Sequence, residues 1–218
     1  MNGRAVRLHW TIAALIASLL AGCGTTVKEL RHHPQQTHAE EMLAAVLPHT
    51  KFPNLHYWIR VAAPAKTSVG LAVLPQRHIY LSEPLITQAD EGILTALVAH
   101  GVAHHRLHHD AQRNALNLVQ RAAFKAGGFF VPGLSQGHRI GGPLMEVALS
   151  AGQEPAADTK TVEYLKEMGR SERDWLEALE FLVAHGYTEQ VGRIIVQRED
   201  FANRIASLRE HLVLDFSQ

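Results

Sequence analysis

The pattern of apolar and polar positions divides the chain into a short strand-rich stretch followed by longer helical stretches. Apolar residues recur at helical spacing over 36–47, 90–123, 144–168, 171–185 and 189–211. Runs rich in aromatic and branched residues predict strands over 55–63, 69–74 and 77–82, arranged as a meander or a hairpin. A helix, a small sheet and then mostly helices predict a single α+β domain.

Glycine and proline refine these boundaries. Residues 127–143 contain six glycines and two prolines, which predicts a loop or broken structure. Pro48 is expected to stop the first helix. Gly169 and Gly186 stand where helices commonly end, and Ser171 followed by Asp174 resembles a capping box.

The N-terminal segment has the features of a bacterial targeting sequence. Arg4 and Arg7 precede an apolar run over residues 10–21, which is shorter than the about 20 residues that span a membrane. The run ends in Leu20-Ala21-Gly22-Cys23, which resembles a lipobox, so Cys23 is the expected lipidation site. An ordinary signal peptide cut near Gly22, or an uncleaved anchor, are the alternatives.

This interpretation divides the chain into a lipoprotein signal peptide (1–22), a polar tether (23–35) and a domain (36–218). By resemblance to Gram-negative lipoproteins, Gly24 after the cysteine favours the outer membrane, facing the periplasm; another bacterial membrane is the alternative. Because Cys23 is the single cysteine, the mature protein forms no internal disulfide.

Composition narrows the function classes. The chain has 21 basic and 21 acidic residues, and this balance gives no reason to expect a nucleic-acid partner. Histidine is abundant, with 15 residues, and five of them fall within 100–109. In such a histidine-rich chain, a pair of histidines four residues apart is by itself a weak signal of metal binding.

Residues 100–104 read His-Gly-Val-Ala-His, a variant of the zinc-protease pattern H-E-x-x-H. Residues four apart share a helix face, so His100 and His104 can hold one ion. In that pattern the glutamate is the general base, and here Gly101 takes its position. The sequence therefore predicts a Zn²⁺ site without its usual base.

A third ligand must come from elsewhere in the chain. Residues 154–158 read Glu-Pro-Ala-Ala-Asp, and zinc proteases of the glutamate class take their third ligand from a later helix. Glu154 is the expected ligand. Asp158, one turn further on, is expected to accept the second N–H of a ligand histidine.

Together these segments resemble peptidase family 48 of the metallo class, which contains the CAAX prenyl protease, HtpX-like enzymes and periplasmic lipoproteins. The resemblance covers about residues 55–210 and implies a mainly helical zincin-like domain with H-x-x-x-H on a central helix. It implies metal ligation by His100, His104 and Glu154, with Asp158 behind them. Ser150 and the pair Arg204-Ile205 match further family positions.

The chain also departs from the family. Gly101 replaces the catalytic glutamate, Ala151 stands where an arginine is usual, and Pro84 replaces a glycine. Arg198 and Glu199 stand where a His-Pro pair is common. The bases that could substitute for the missing glutamate are His108, His138 and Glu146.

The other histidines and aromatic residues favour plainer roles. His105 and His109 are expected to point away from the metal, and His108 to lie just beyond it. His32, His33 and His38 are expected to be part of a polar tail, and Trp58, Tyr80 and Trp175 to be packing residues.

The expected function is a metal-binding pseudopeptidase or very weak peptidase that holds or acts on unfolded or assembling envelope proteins. One alternative is an active zinc metalloendopeptidase with a substitute base. A second is a structural lipoprotein that buffers zinc.

Overall fold

The computed structural model of the protein describes residues 28–63, 69–109, 111–112, 138–192, 194–196 and 198–215. The described helices are α1 Gln36–Val46, α2 Glu83–Gln88, α3 Glu91–Arg106, α4 His138–Glu167, α5 Glu172–Ala184 and α6 Arg198–Asp215. The described strands are β1 Lys28–Glu29, β2 Trp58–Ala63, β3 Val69–Leu74, β4 His78–Ser82, β5 Thr188–Val191 and β6 Ile194–Ile195. They form one mixed sheet in the order β1-β2-β4-β3-β5-β6, which confirms the α+β class.

The centre of the sheet is a hairpin, one of the two arrangements that the sequence predicted. Strands β3 and β4 pair antiparallel, and β2 joins β4 in parallel. Gln76 and Arg77 turn the hairpin with φ values of 64° and 63°, a left-handed conformation uncommon for residues other than glycine. Strand β2 begins at Trp58 rather than at residue 55, because its pairing starts where the Trp58 N–H donates to the Arg77 carbonyl.

Helix α3 is the buried centre of the domain. Asp90 caps its start by accepting a hydrogen bond of 2.8 Å from the Ile93 N–H. The helix contacts the sheet, α1, α4 and α5, and residues 94–105 are all buried. A helix that is buried on all sides needs this mostly apolar composition, so its few polar side chains must find partners inside the protein.

The predicted helix over 90–123 is interrupted after residue 106, and His109, Ala111 and Gln112 are helical again. Helix α3 ends at Arg106, and His108 adopts a φ of 58°, which does not continue a right-handed helix. Residues 113–123 lie outside the described part of the chain. The prediction missed this end because it has no glycine or proline to mark it.

The helices that follow combine confirmed and corrected predictions. Helix α4 begins at His138, so the predicted loop over 127–143 is helical from that residue onward. Helix α5 confirms the prediction over 171–185, and Asp174 accepts hydrogen bonds from the Ser171 N–H and hydroxyl. Gly169 and Gly186 end α4 and α5 with φ values of 74° and 70°.

The prediction of one helix over 189–211 is confirmed only from Arg198 onward. Before it, residues 188–191 and 194–195 form strands β5 and β6. Strand β5 extends the sheet by pairing in parallel with β3, and Gly192 turns into β6 with a φ of 61°. The branched residues Val191, Ile194 and Ile195 suit strands. Pairing of β5 with the free edge of β3 stabilises the strand over the predicted helix.

The first described residues are attached to the domain. Lys28 and Glu29 pair antiparallel with β2, and His33 lies 3.2 Å from Glu83. Part of the segment expected to be a tether therefore contacts the sheet. Residues 1–27, with the expected signal peptide and Cys23, lie outside the described residues. None of the described helices is long and apolar enough to span a membrane.

Candidate metal centre

Three side chains from two helices converge beside the buried helix α3. His100 and His104 stand one turn apart on α3, with their Nε2 atoms 3.0 Å from each other. Glu154 of α4 places Oε2 3.5 Å from His100 Nε2 and 3.3 Å from His104 Nε2. Ligands bound to zinc at about 2.0–2.1 Å in a tetrahedron lie about 3.3–3.4 Å apart. The three residues are thus a group that could hold a metal ion.

Burial makes this cluster energetically demanding. His100 and His104 have 0% exposure, and Glu154 has 2%. Isolated charges are costly at such positions unless they are paired or bind a metal. The side chains around the cluster must therefore compensate for its charge.

Thr161 fixes the orientation of the His100 ring. Its hydroxyl donates to the Ala157 carbonyl over 2.7 Å and lies 3.0 Å from His100 Nδ1. Because the hydroxyl proton is donated to Ala157, the Thr161 oxygen can only accept from His100. Nδ1 of His100 therefore carries the hydrogen. In the neutral ring this leaves the Nε2 lone pair directed at the cluster, as a metal ligand requires.

Asp158 has a different partner from the one expected. Its Oδ1 lies 3.7 Å from His100 Nδ1, which is too long for a hydrogen bond. The carboxylate instead accepts two hydrogen bonds from Arg204 of α6, at 2.8 Å from Nε and 2.7 Å from Nη2. Such a two-point contact matches the planar fork of a guanidinium.

Arg204 also reaches the candidate ligands. Its Nη2 is 3.3 Å from His100 Nε2, and its Nη1 is 3.4 Å from Glu154 Oε2. Nη1 donates in addition to Glu189 Oε2 at 2.8 Å. One guanidinium therefore contacts three carboxylates and a histidine inside the protein.

Glu189 is the residue that the strand β5 adds to the centre. It is fully buried, and its Oε1 makes no hydrogen bond and lies 3.6 Å from His100 Nε2. Sequence reasoning missed it because it assigned residue 189 to a helix. A glutamate at 0% exposure beside a histidine is visible only once β5 is placed next to β3.

Two further side chains close the centre. The indole of Trp175 from α5 stacks on the His100 ring at 4.4 Å, and the Arg204 guanidinium lies 5.5 Å from the indole centre. His109 places Nδ1 3.1 Å from His104 Nδ1, so it supports a candidate ligand from behind. Trp175 was expected only as a packing residue, and His109 was expected to point away.

The charges shift the pKa values of the cluster. Burial alone lowers the pKa of His100, but the negative charge of Glu189 and the nearby carboxylate of Glu154 outweigh it, so the pKa rises to about 9. Burial raises the pKa of Glu189, and Arg204 with His100 overcomes this, so that pKa falls to about 2. A proton and a metal ion therefore compete for His100 Nε2.

Gly101 occupies the other side of α3. A Cβ atom there would lie 3.1–3.4 Å from side-chain atoms of Ile79 on β4, closer than ordinary packing allows. The glycine thus lets the helix approach the sheet closely. It contributes no acid or base to the centre.

The remaining histidines lie away from the cluster. His105 points toward the sheet, with Nε2 3.3 Å from the His78 carbonyl, and His108 is exposed. His32, His33 and His38 belong to the first described segment and to α1. Trp58 is 42% exposed and Tyr80 is half-buried on the sheet.

Several sequence candidates cannot be placed. The side chains that fall outside the described part of the structure are His138, Glu146, Ser150, Ala151, Arg198 and Glu199. Pro84 is explained by its position in the first turn of α2, where proline is well tolerated. Arg204 matched a family position in the sequence, but its partners became clear only in the fold.

No protein-family model matches the chain, and a search of curated proteins finds no matching relative.

Proposed function

We propose that this chain is a cell-envelope lipoprotein whose domain binds one metal ion, most simply zinc, without ordinary peptide hydrolysis. One observation carries the proposal: the donor atoms of His100, His104 and Glu154 lie 3.0–3.5 Å apart in a buried cluster. Bound there, zinc would act as a Lewis acid or as a structural cross-link. The resemblance to family 48 peptidases supports the same ligand set.

The same geometry disfavours hydrolysis. General acid–base assistance contributes about 10²–10⁴-fold to a rate, and Gly101 supplies none. The candidate ligands are buried, and Arg204 lies 3.3–3.4 Å from two of them. A polypeptide substrate must reach the ion, and both features oppose its approach.

Metal content is the first test. Purified protein is expected to contain about one zinc per chain, and His100→Ala is expected to lose it because a ligand is removed. His105→Ala is the matched control, since His105 is buried on the same helix but contacts the sheet. Mass spectrometry should also identify the ion, because two histidines and a carboxylate suit Fe(II) as well. Equal metal content in both variants would contradict the proposal.

The missing base is tested by Gly101→Glu. We expect at most weak, chelator-sensitive casein cleavage, because the new side chain starts from a position crowded by Ile79. The wild type is expected to show no cleavage above that of His100→Ala. Robust wild-type cleavage that chelator abolishes would reject the pseudopeptidase interpretation.

An active peptidase with a substitute base is the second candidate, and Glu189 is the observation that favours it. Its Oε1 makes no hydrogen bond and faces His100. Its other oxygen is paired with Arg204, which opposes the proton uptake that a base needs. Glu189→Gln should abolish any wild-type hydrolysis if this candidate is right and change nothing if the first is.

Zinc buffering is the third candidate. A buffer must exchange its metal readily, whereas the ligands here have 0–2% exposure. We therefore expect metal release to a chelator to be slow, on the scale of local unfolding. Release within the mixing time, with the fold retained, would favour buffering instead.

Localisation and partners extend the proposal. Lipidation at Cys23 should place the protein in the outer membrane facing the periplasm, and Cys23→Ser should release it or leave it unprocessed. If the variant fractionates and migrates like the wild type, the lipobox interpretation fails. Unfolded or assembling envelope proteins are the proposed partners. Cross-linking in cells would detect them, and a variant substituted at an exposed position is the control.

A further inference from the structure

Arg204 brings a permanent positive charge to atoms that would hold the metal. Its nitrogens lie 3.3 Å from His100 Nε2 and 3.4 Å from Glu154 Oε2. A guanidinium does not lose its proton in proteins, and burial at 5% exposure limits the water that could screen it. A metal ion held by these two atoms would therefore lie beside this positive charge.

We propose that Arg204 competes with the metal ion and sets the affinity of the centre. In the metal-free protein the guanidinium supplies the positive charge that the buried carboxylates require. When a metal binds, the two cations face each other across His100 and Glu154. This inference rests on the proposed metal binding and goes beyond it, because it assigns control of the affinity to a residue that is not a ligand.

The charges of the centre give the direction of the effect. Three carboxylates contact the guanidinium, those of Glu154, Asp158 and Glu189. With Arg204 present, a divalent ion enters a cluster whose negative charge is already reduced by one. Without it, the same ion meets the full charge of the carboxylates, so binding is expected to be tighter.

The Arg204 guanidinium is also held in place by its partners. Asp158 accepts two hydrogen bonds from it and Glu189 a third, all within 2.7–2.8 Å. The guanidinium also lies 5.2 Å from the Phe201 ring centre. Because these contacts keep the guanidinium beside the ligands, its positive charge repels a metal ion that binds there.

The test measures zinc affinity by competition with a chelating indicator in three variants and the wild type. We expect Arg204→Gln to bind about 10–100-fold more tightly, because the repulsion between the guanidinium and a divalent ion a few ångströms away is removed. Arg204→Lys keeps the charge and is expected to stay close to the wild type. Arg209→Gln is the matched control, because Arg209 lies on the same helix but forms an exposed pair with Glu180.

Each outcome decides the inference. Binding by Arg204→Gln that is equal to or weaker than the wild type, with native circular dichroism, overturns it. Tightening of Arg204→Lys to the same extent also overturns it, because charge would then not be the cause. If Arg204→Gln folds only with zinc, the chelator concentration that removes half of its metal is compared with that of the wild type. A higher concentration supports the inference, and an equal or lower one overturns it.

The result also separates this inference from the proposed function. If the wild type binds zinc and Arg204→Gln binds it no more tightly, only the role of Arg204 is refuted. If Arg204→Gln binds zinc and the wild type does not, competition between Arg204 and the metal is supported. Absence of binding in the wild type and in all variants refutes both proposals.

Discussion

The two sides of helix α3 are equally buried but are held by different forces. Toward α4 and α6, His100 and its neighbours form a network of charges and hydrogen bonds. Toward the sheet, Gly101 packs closely on Ile79, which is also fully buried. Burial by itself therefore does not show what stabilises a position.

The difference lies in how specific each contact must be. Apolar packing is non-directional, and its free energy changes gradually with the volume that is removed. A buried charge depends on a particular partner, and removing that partner leaves it uncompensated. We thus expect single substitutions to cost more on the charged side than on the apolar side.

The largest effect is expected for Arg204→Gln. Without metal, it should lower the free energy of unfolding by about 3–5 kcal/mol, because buried carboxylates lose their counter-charge. Urea denaturation in the presence of chelator measures this. Arg209→Gln, whose pair is exposed, should cost less than about 1 kcal/mol. A similar cost for both variants would show that the buried partners of Arg204 add no stability beyond that of an exposed pair.

Thr161→Val should have the next largest effect. It deletes the acceptor of the His100 Nδ1–H, and an unsatisfied buried donor costs about 1–3 kcal/mol. We also expect zinc affinity to fall, because the ring is no longer held in its ligand orientation.

Thr159→Val provides the control for that substitution. Thr159 lies on the same helix and also donates to the carbonyl four residues earlier, but it is exposed. Zinc titration followed by calorimetry should show a change only in Thr161→Val. Equal affinities would show that Thr161 does not position the ring.

Ile79→Val tests the apolar side. Removing one buried methyl group should lower the free energy of unfolding by about 0.5–1.5 kcal/mol. The loss should be the same with zinc and with chelator, since Ile79 contacts the opposite side of α3. A loss that depends on zinc would show that the two sides are coupled.

The smallest effect is expected for Gly101→Ala. Alanine improves helix propensity by about 1 kcal/mol, while its Cβ would meet Ile79 at 3.1 Å. The two terms should nearly cancel in the wild type. In the Ile79→Val background the crowding is relieved, so the same change should stabilise, and a double-mutant cycle measures the coupling. Additive effects would contradict the close approach of helix and sheet.

Local signals predicted much of the fold. The helical spacing of residues 36–47 and 171–185 matched α1 and α5, and glycines marked the ends of α4 and α5. Prediction failed over 189–191 and 194–195, where strand formation depends on a distant partner, β3. It also missed the interruption after Arg106, which no glycine or proline marks.

The sequence by itself determined that His100 and His104 share a helix face, because that follows from the geometry of four residues on one helix. It also pointed to Glu154, through a motif about fifty residues away. Only the tertiary structure joined Arg204, Glu189, Thr161 and Trp175 to these residues. The reason is physical: helix geometry is a local property, whereas the partner of a buried charge depends on which elements pack together.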